Sequence, residues 1–201
     1  SNTYTYQPFN KLTATQTTTQ GFDANGNTVW KSEGSKRFTY TWDYENRLGK
    51  VNDRKTTVRH WYDALGRRVM TTGGRNGTTK YTYTGLDVVM DDSSVSGITK
   101  YQNGPGIDNK LSLKTGSDVK YLLQDHLGST IGLTDSTGTV TASQSYDSFG
   151  SGSNASFPTR YQYTGREYDS FSNLYYYRAR FYDPKLGRFI SEDPIGFRGG
   201  N

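Results

Sequence analysis

A chain of 201 residues can form one all-β unit or two smaller domains. Hydrophobic residues make up only 31% and aromatic residues 14%, with 17 Tyr and 23 Gly, so the core must be built largely from tyrosine rings, and strands and turns are favoured over long helices. The net charge of +5 is scattered along the chain, which argues against a clustered nucleic-acid footprint, and the absence of Cys excludes disulfides and Cys-ligated metals.

The residue types that bind metals and cofactors are sparse. Two His and no Cys cannot form a standard structural zinc site without carboxylate ligands. Asp87, Asp91 and Asp92 lack the D-x-D-x-D-G spacing of a calcium loop, so this segment is interpreted as a solvated acidic loop. His126 follows Asp125 in a turn motif, where adjacency in sequence is the wrong geometry for a catalytic triad. We therefore predict no cofactor and no metal, and no apolar run is long enough to span a membrane.

Alternating aromatic and polar residues predict short β-strands along the whole chain. In chain order, the aromatic positions of these runs are Tyr4 and Tyr6; Phe38, Tyr40, Trp42 and Tyr44; Tyr81 and Tyr83; and Tyr161 and Tyr163. Aromatic residues also recur at a step of roughly twenty residues, which is the length of two short strands and two turns. These positions are Tyr40, Trp61, Tyr81, Tyr101, Tyr121, Tyr161 and Phe181.

A repeated D-x-x-G motif predicts the turns between these strands. In a type I turn, the first-position Asp binds the turn backbone and the fourth-position Gly adopts the conformation that follows. The six copies are "DANG" at 23, "DALG" at 63, "DHLG" at 125, "DSTG" at 135, "DSFG" at 147 and "DPIG" at 193. The sequence therefore predicts an all-β fold of Tyr-rich repeated β-hairpins that form a curved or spiralling sheet.

The stretch "LYYYRARFY" at 174–182 is the most aromatic part of the chain. Interpreted as one strand, it places Tyr175, Tyr177 and Phe181 on one face and Leu174, Tyr176, Arg178, Arg180 and Tyr182 on the other. Such a cationic and aromatic face could stack nucleic-acid bases. We favour a structural role, in which the arginines lie over tyrosines of neighbouring strands and pair with carboxylates such as Glu167 or Asp169.

Longer motifs identify a family resemblance. They are "YDALGRRV" (62–69), "LLQDHLGSTIGLTDSTGTV" (122–140), "YDSFG" (146–150) and "YTGREYDSFSNLYYYRARFYDPKLGRFISEDPIG" (163–196). On these residues the sequence resembles the RHS/YD-repeat family. The resemblance implies YD-repeat β-hairpins over residues 1–120 and an RHS-repeat-associated core over residues 121–201, truncated at its C-terminus.

In that family, a spiralling β-strip forms a hollow shell around a variable C-terminal polypeptide, commonly a toxin, and animal teneurins carry a similar shell. For bacterial members, the resemblance implies an Asp-dependent self-cleavage site at the end of the core, typically after a further Asp-Pro-x-Gly-Leu motif. By resemblance, Asp193 falls in the motif associated with self-cleavage, with Arg188 as its electrostatic partner. The further Asp-Pro-x-Gly-Leu motif is missing from this sequence. We therefore expect this chain to lack the scissile bond and the enclosed polypeptide. From the residues alone we favour a turn-forming Asp193 before Pro194, because the five other D-x-x-G turns need no catalysis.

Three functional hypotheses follow. The leading one is a structural shell segment of an RHS-type polymorphic toxin, secreted or at the cell surface, without enzymatic turnover of its own. Its partners would be the C-terminal toxin domain and the remaining repeats of the parent chain, with no nucleic acid and no membrane span. The second is part of an intramolecular aspartyl self-cleaving site, and the third is adhesion to carbohydrate or protein through exposed tyrosines. Because unpaired strand edges recruit other chains, we expect this chain either to curl and cover its own edges or to self-associate.

Overall fold

The computed structural model describes residues 3–8 and 10–196, which form nineteen β-strands and two short 3₁₀ segments. The strands of the larger sheet are β1 Thr5–Gln7, β2 Lys11–Ala14, β3 Thr18–Phe22, β4 Thr28–Glu33, β5 Lys36–Trp42, β6 Leu48–Asn52, β7 Thr57–Tyr62, β8 Arg68–Gly73, β9 Thr78–Thr84, β10 Asp87–Ser93, β11 Gly97–Asn103, β12 Lys110–Thr115, β13 Asp118–Gln124, β14 Thr130–Thr134 and β15 Val140–Ser143. The smaller sheet contains β16 Glu167–Asp169, β17 Leu174–Tyr177, β18 Arg180–Asp183 and β19 Arg188–Phe189. The 3₁₀ segments are Gly74–Asn76 and Tyr163–Gly165. The predicted all-β class is confirmed.

Each strand pairs with its neighbours in sequence. Strands β1 to β15 form one antiparallel sheet in simple chain order, and β16 to β19 form a second sheet in the same manner. The predicted domain division at residue 120 falls inside β13, and the large sheet continues to Ser143. Within the described residues, no helix is long and apolar enough to cross a bilayer.

The D-x-x-G turns form as their chemistry predicts. In the turn after β7, the Gly66 amide donates to the Asp63 carbonyl at 3.0 Å, and the amides of Leu65 and Arg67 donate to Asp63 Oδ1. Gly66 has a φ of +76°, a conformation that costs other residues energy. The same carbonyl bond closes the other five D-x-x-G turns at Gly26, Gly128, Gly138, Gly150 and Gly196. Asn46 takes the Gly position in a seventh turn that begins at Asp43.

The turns after β3, β5, β7, β9, β11 and β13 lie along one rim of the large sheet, and a β-bulge follows each of them. In the six hairpins from β3–β4 to β13–β14, one residue is skipped in the pairing between the strand that enters the turn and the strand that leaves it, and β1–β2 and β14–β15 contain a similar shift. The skipped residues are Val29, Gly49, Val69, Val89, Leu111 and Ile131. This step of about twenty residues confirms the predicted repeat of two strands and two turns. Because each bulge bends its strand and increases the twist, the series curves the sheet.

The residue before each skipped position points to the inner face and is at most 3% exposed. These inner positions are Thr28, Leu48, Arg68, Val88, Lys110 and Thr130. Aromatic residues also face inward at Tyr40, Tyr81 and Tyr101, whereas Trp61 and Tyr121 are 38% and 46% exposed. The twenty-residue step therefore sets the hairpin length, and bulges decide which face each aromatic residue occupies.

The tyrosine of the Tyr-Asp motif binds the preceding hairpin. The Tyr62 hydroxyl donates to the Leu48 carbonyl at 2.8 Å, and Tyr83, which Thr84 follows in place of Asp, makes the same bond to the Arg68 carbonyl at 2.9 Å. Trp42 Nε1 donates to the Thr28 carbonyl at 2.8 Å in the same manner. Since a bulge leaves a carbonyl without its ladder partner, a ring donor at this position satisfies it. The aromatic residue and the Asp therefore have separate roles, one between hairpins and one within the turn.

The smaller sheet packs on the inner face of the large one. The shared core contains Phe38, Tyr40, Leu48, Val51, Leu174, Tyr176, Phe181 and Ile190. Backbone bonds join the large sheet to residues that flank the smaller sheet, where the bulges free an amide: Thr28 N donates to the Ile190 carbonyl at 2.8 Å, and Thr130 N donates to the Gln162 carbonyl at 3.1 Å. Residues 144–196, the C-terminal segment, thus complete the hydrogen bonding of the strands that they cover.

The prediction of one strand at 174–182 is wrong. The chain reverses at Arg178, which has a φ of +62°, so β17 and β18 form a hairpin. Phe181 pairs across this hairpin with Tyr176 and shares its inner face, rather than the face of Tyr175. Alternation places residues correctly only within a strand, and a two-residue turn inside the run resets it.

Candidate functional site

A buried ionic cluster joins the inner face of the large sheet to the C-terminal segment. Glu167 lies between two arginines: it accepts a bond of 2.6 Å from Arg68 and forms an ion pair with Arg160. Arg160 also binds Asp91 through two bonds of 2.8 Å. Burial alone would raise the pKa of Glu167, but the charges of Arg160 and Arg68 hold it below its usual value. The cluster holds strands β8, β10 and β16 together.

Aromatic rings support the same arginines. The Arg68 guanidinium lies 4.4 Å from the centroid of the Tyr176 ring, and that of Arg160 lies 4.5 Å from the centroid of the Tyr161 ring. The expected pairing of Arg178 and Arg180 with Glu167 or Asp169 is wrong: Glu167 pairs with Arg68 and Arg160, while Arg180 pairs with Asp193 and lies over the Phe189 ring. Arg178 instead pairs with Asp108 at 2.8 Å. The partners come from the large sheet as well as from the C-terminal segment.

The interpretation of residues 87–92 as a solvated acidic loop is wrong. These residues lie in β10, and Asp91 is only 7% exposed. Besides Arg160, Asp91 accepts a hydrogen bond of 2.7 Å from the Tyr101 hydroxyl, and Asp87 pairs with Lys110 at 3.5 Å. Asp87 and Asp91 are therefore counterions inside the fold, whereas Asp92 is exposed. Among residues 3–8 and 10–196, no group of three or more His, Asp or Glu side chains is placed to hold a metal.

His60 is buried beside this cluster. Its ring stacks on Phe181 with centroids 5.3 Å apart, and Nδ1 lies 3.1 Å from Thr71 Oγ1. Burial lowers the pKa of His60 to about 3, and the positive charge of Arg68 acts in the same direction, opposed by the carboxylates of Asp169 and Glu167. The folded protein therefore holds the neutral ring.

This burial predicts a loss of stability in mild acid. Because the pKa of His60 is about 3 in the folded state and near 6.5 unfolded, its contribution is complete above about pH 6.5 and decreases as the pH falls toward 3. Between pH 7 and pH 5 the free energy of unfolding should fall by about 2 kcal/mol more in the wild type than in His60→Gln. Urea unfolding at both pH values measures this difference. His126→Gln, in an exposed turn, should behave as the wild type, and identical losses in all three proteins would contradict the prediction.

The structure places Asp193 and Arg188 apart. Asp193 Oδ2 pairs with Arg180 at 2.8 Å, and the Arg180 guanidinium lies 3.7 Å from the centroid of the Phe189 ring. Arg188 donates to the Asn10 carbonyl at 3.0 Å. The electrostatic partner of Asp193 is thus Arg180. Sequence reasoning missed Arg180 because only the β17–β18 turn turns this side chain toward the last D-x-x-G motif.

Asp193 lies at a cavity of about 790 Å³ along the rim where the D-x-x-G turns project. Its wall combines hairpin tips of the large sheet, among them Asn27, Asn46 and Arg67, with residues of the C-terminal segment, among them Arg178, Glu192 and Pro194. The Asp193 carboxylate keeps a turn role as well, because Oδ1 accepts the Ile195 amide at 3.1 Å. A carboxylate paired with an arginine at an open cavity stays ionised and can make polar contacts with a group that enters the cavity.

The comparison with protein families agrees with this architecture. A family model described as Teneurin YD-shell matches residues 1–198. The chain belongs to the YD-shell family. The resemblance to RHS/YD-repeat proteins is therefore confirmed, and the bulged hairpins and Tyr-Asp turns are the structural form of its repeat.

Curated relatives of this YD-shell chain are much longer proteins. It is 34% identical over 197 residues to the tRNA nuclease WapA of Bacillus subtilis, matching 92% of this chain and 8% of the relative. It is 27% identical over 238 residues to the double-stranded DNA deaminase toxin A of Burkholderia cenocepacia, matching 97% of this chain and 16% of that protein. The chain thus spans less than a fifth of either relative.

Solved structures share the fold. The Tc holotoxin pore of Photorhabdus luminescens matches with a TM-score of 0.62 and 20% identity over 97% of this chain and 12% of that one. A crystal structure of TcdB2-TccC3 without its hypervariable C-terminal region matches with a TM-score of 0.60 and 18% identity over 98% of this chain and 14% of the other. At these identities the likeness concerns the fold alone.

Proposed function

We propose that this chain is a wall segment of an RHS-type shell that encloses a C-terminal effector polypeptide, in a polymorphic toxin that acts outside the producing cell. The observation that carries the proposal is the fifteen-stranded sheet, curved by a bulge in successive hairpins and matched over residues 1–198 by the YD-shell model. Relatives named as a nuclease and a deaminase toxin support an effector elsewhere in the parent chain.

The edges of the sheet support a place within a larger wall. Among the residues that the structure describes, β1 and β15 each have one paired neighbour, so each offers an open side to further strands. An unpaired edge that joins another repeat is satisfied, whereas an isolated one recruits other chains. The remaining repeats of the parent chain are therefore the proposed partners, and self-association of this chain alone remains a prediction.

Limited proteolysis of the parent protein tests the shell. In the intact parent, trypsin should leave the C-terminal polypeptide uncut, because a closed wall keeps the protease out, while the same polypeptide produced alone should be digested. Mass spectrometry of the time course measures both rates. Equal digestion rates for the enclosed and the isolated polypeptide would exclude an enclosing role.

A second candidate function rests on Asp193 at the rim cavity. We propose that Asp193 contributes to an aspartyl self-cleaving site in the parent, with Arg180 holding its carboxylate. A chain extended past the next Asp-Pro motif should appear as two pieces in intact mass spectrometry, and Asp193→Asn should stay whole. Asp135→Asn, which changes an exposed D-x-x-G turn far from the cavity lining, should still be cut. Cleavage of Asp193→Asn at the wild-type rate would reduce Asp193 to a turn residue.

A further inference from the structure

The rim cavity is lined by five successive hairpin tips of the large sheet. Its lining includes residues from the turns after β3, β5 and β7, then Leu86 to Val88, and then Asp108 and Lys110. Neighbouring strands are about 4.8 Å apart, so successive hairpin tips are about 10 Å apart, and five tips follow a curved path of at most about 40 Å. At about 3.3 Å per residue, an extended polypeptide of about 12 residues has this length. The cavity therefore has the shape of a polypeptide groove.

One end of the groove carries excess positive charge. Lys110 is 1% exposed, and among the described residues its ammonium makes a single hydrogen bond, a long one of 3.5 Å to Asp87. Arg166 and Arg178 both pair with Asp108. Glu167 also lines the cavity, but it is paired with Arg68 and Arg160. The three remaining cations thus face two carboxylates, and a lysine ammonium has three donors. A further carboxylate at this end would balance the charge and satisfy a buried donor.

The other end carries excess negative charge. Glu45, Glu192 and Asp193 line it, while the cations that pair with these carboxylates are Arg47 and Arg180. Glu192 is exposed and, within the part of the chain that the structure describes, has no ion-pair partner. A cation at this end would balance the charge.

A buried acceptor at this end is also unpaired. Asn27 lines the groove and is 1% exposed. Its amide nitrogen donates to Asp23 and Asn46, but its Oδ1 accepts no hydrogen bond from the described residues. An amide N–H of a bound backbone is the partner that such an acceptor lacks.

We propose that this groove binds an extended stretch of the enclosed polypeptide with a fixed charge polarity: a basic side chain at Glu192 and an acidic side chain at Lys110. The inference rests on the shell proposal for the source of the polypeptide. It adds a recognition site that holds the polypeptide against the wall by its charge pattern. Opposite charges at the two ends also disfavour segments that carry the same charge at both positions.

Four labelled peptides test the polarity. Each is about 12 residues of Gly and Ser with blocked termini. The charged end residues are Lys and Asp, Asp and Lys, Lys at both ends, or Asp at both ends. Fluorescence anisotropy with the 201-residue chain should show one mixed peptide binding at least about tenfold more tightly than both like-charged ones.

A charge reversal is the decisive variant. Because Glu192 is exposed, Glu192→Lys should fold normally, and the peptide with Asp at both ends should become the tightest binder. Lys110→Met should remove the preference for an acidic end, with its thermal midpoint checked because Lys110 is buried. Equal binding of all four peptides, no binding, or an unchanged preference in Glu192→Lys would overturn the groove. If the C-terminal polypeptide of the parent were still protected from trypsin in that case, the groove proposal would fail and the shell proposal would stand.

Discussion

Glu167→Gln should lower the free energy of unfolding by about 3 to 5 kcal/mol. The carboxylate is the shared counterion of Arg68 and Arg160, and all three groups are buried or nearly so. Removing its charge leaves the two guanidinium groups with Asp91 as the remaining bound carboxylate. A buried cation that loses its partner keeps the desolvation cost without the compensating attraction, so the folded state is penalised.

Urea unfolding at pH 7 measures this loss. The matched control is Asp118→Asn, which removes an exposed pairing with Lys120 at 3.2 Å and should cost at most about 1 kcal/mol. If Glu167→Gln unfolds within about 1 kcal/mol of the wild type, water reaches the cluster and the ionic tie between the sheets is weaker than its geometry indicates.

Leu174→Ala should cost about 2 to 5 kcal/mol. Leu174 is fully buried between the smaller sheet and Phe38, Leu48 and Val51 of the large one. Truncation removes its contacts and leaves a cavity that the two sheets cannot close without moving apart. Because both sheets contribute to this core, the loss should appear as one cooperative transition shifted to lower urea.

The matched control for this change is Leu127→Ala. Leu127 is 52% exposed in the turn between β13 and β14, and its truncation should alter the free energy of unfolding by no more than about 0.5 kcal/mol. Two separated transitions in Leu174→Ala, monitored by tryptophan fluorescence and by circular dichroism, would show instead that the smaller sheet unfolds independently of the wall.

Local patterns predicted most of the strands and turns. Phe38 and Tyr40 alternate with polar residues and face the core, and the Asp63 to Gly66 turn forms with the bonds that its residues prescribe. These predictions hold because strand alternation and turn chemistry act between residues a few positions apart. The simple strand order of the large sheet follows from the same locality, since each hairpin joins strands that are adjacent in sequence.

The candidate site depends on contacts that no local pattern contains. Glu167 pairs with Arg68 over a separation of 99 residues, and Asp183 pairs with Lys31 over 152. Alternation could not show that Asp91 faces inward, because the bulge at Val89 shifts the register before it. It also could not select Arg180 over Arg188 as the partner of Asp193, because the hairpin at Arg178 intervenes.

The sequence by itself determined the all-β class, the hairpin repeat, the turns and the family, because each is encoded within one or two hairpins. Only the tertiary structure decided which face is interior, which carboxylate neutralises which arginine, and where Asp193 lies. Bulges and two-residue turns change the direction of a side chain by one position, and charge pairing then depends on which strands meet across the core.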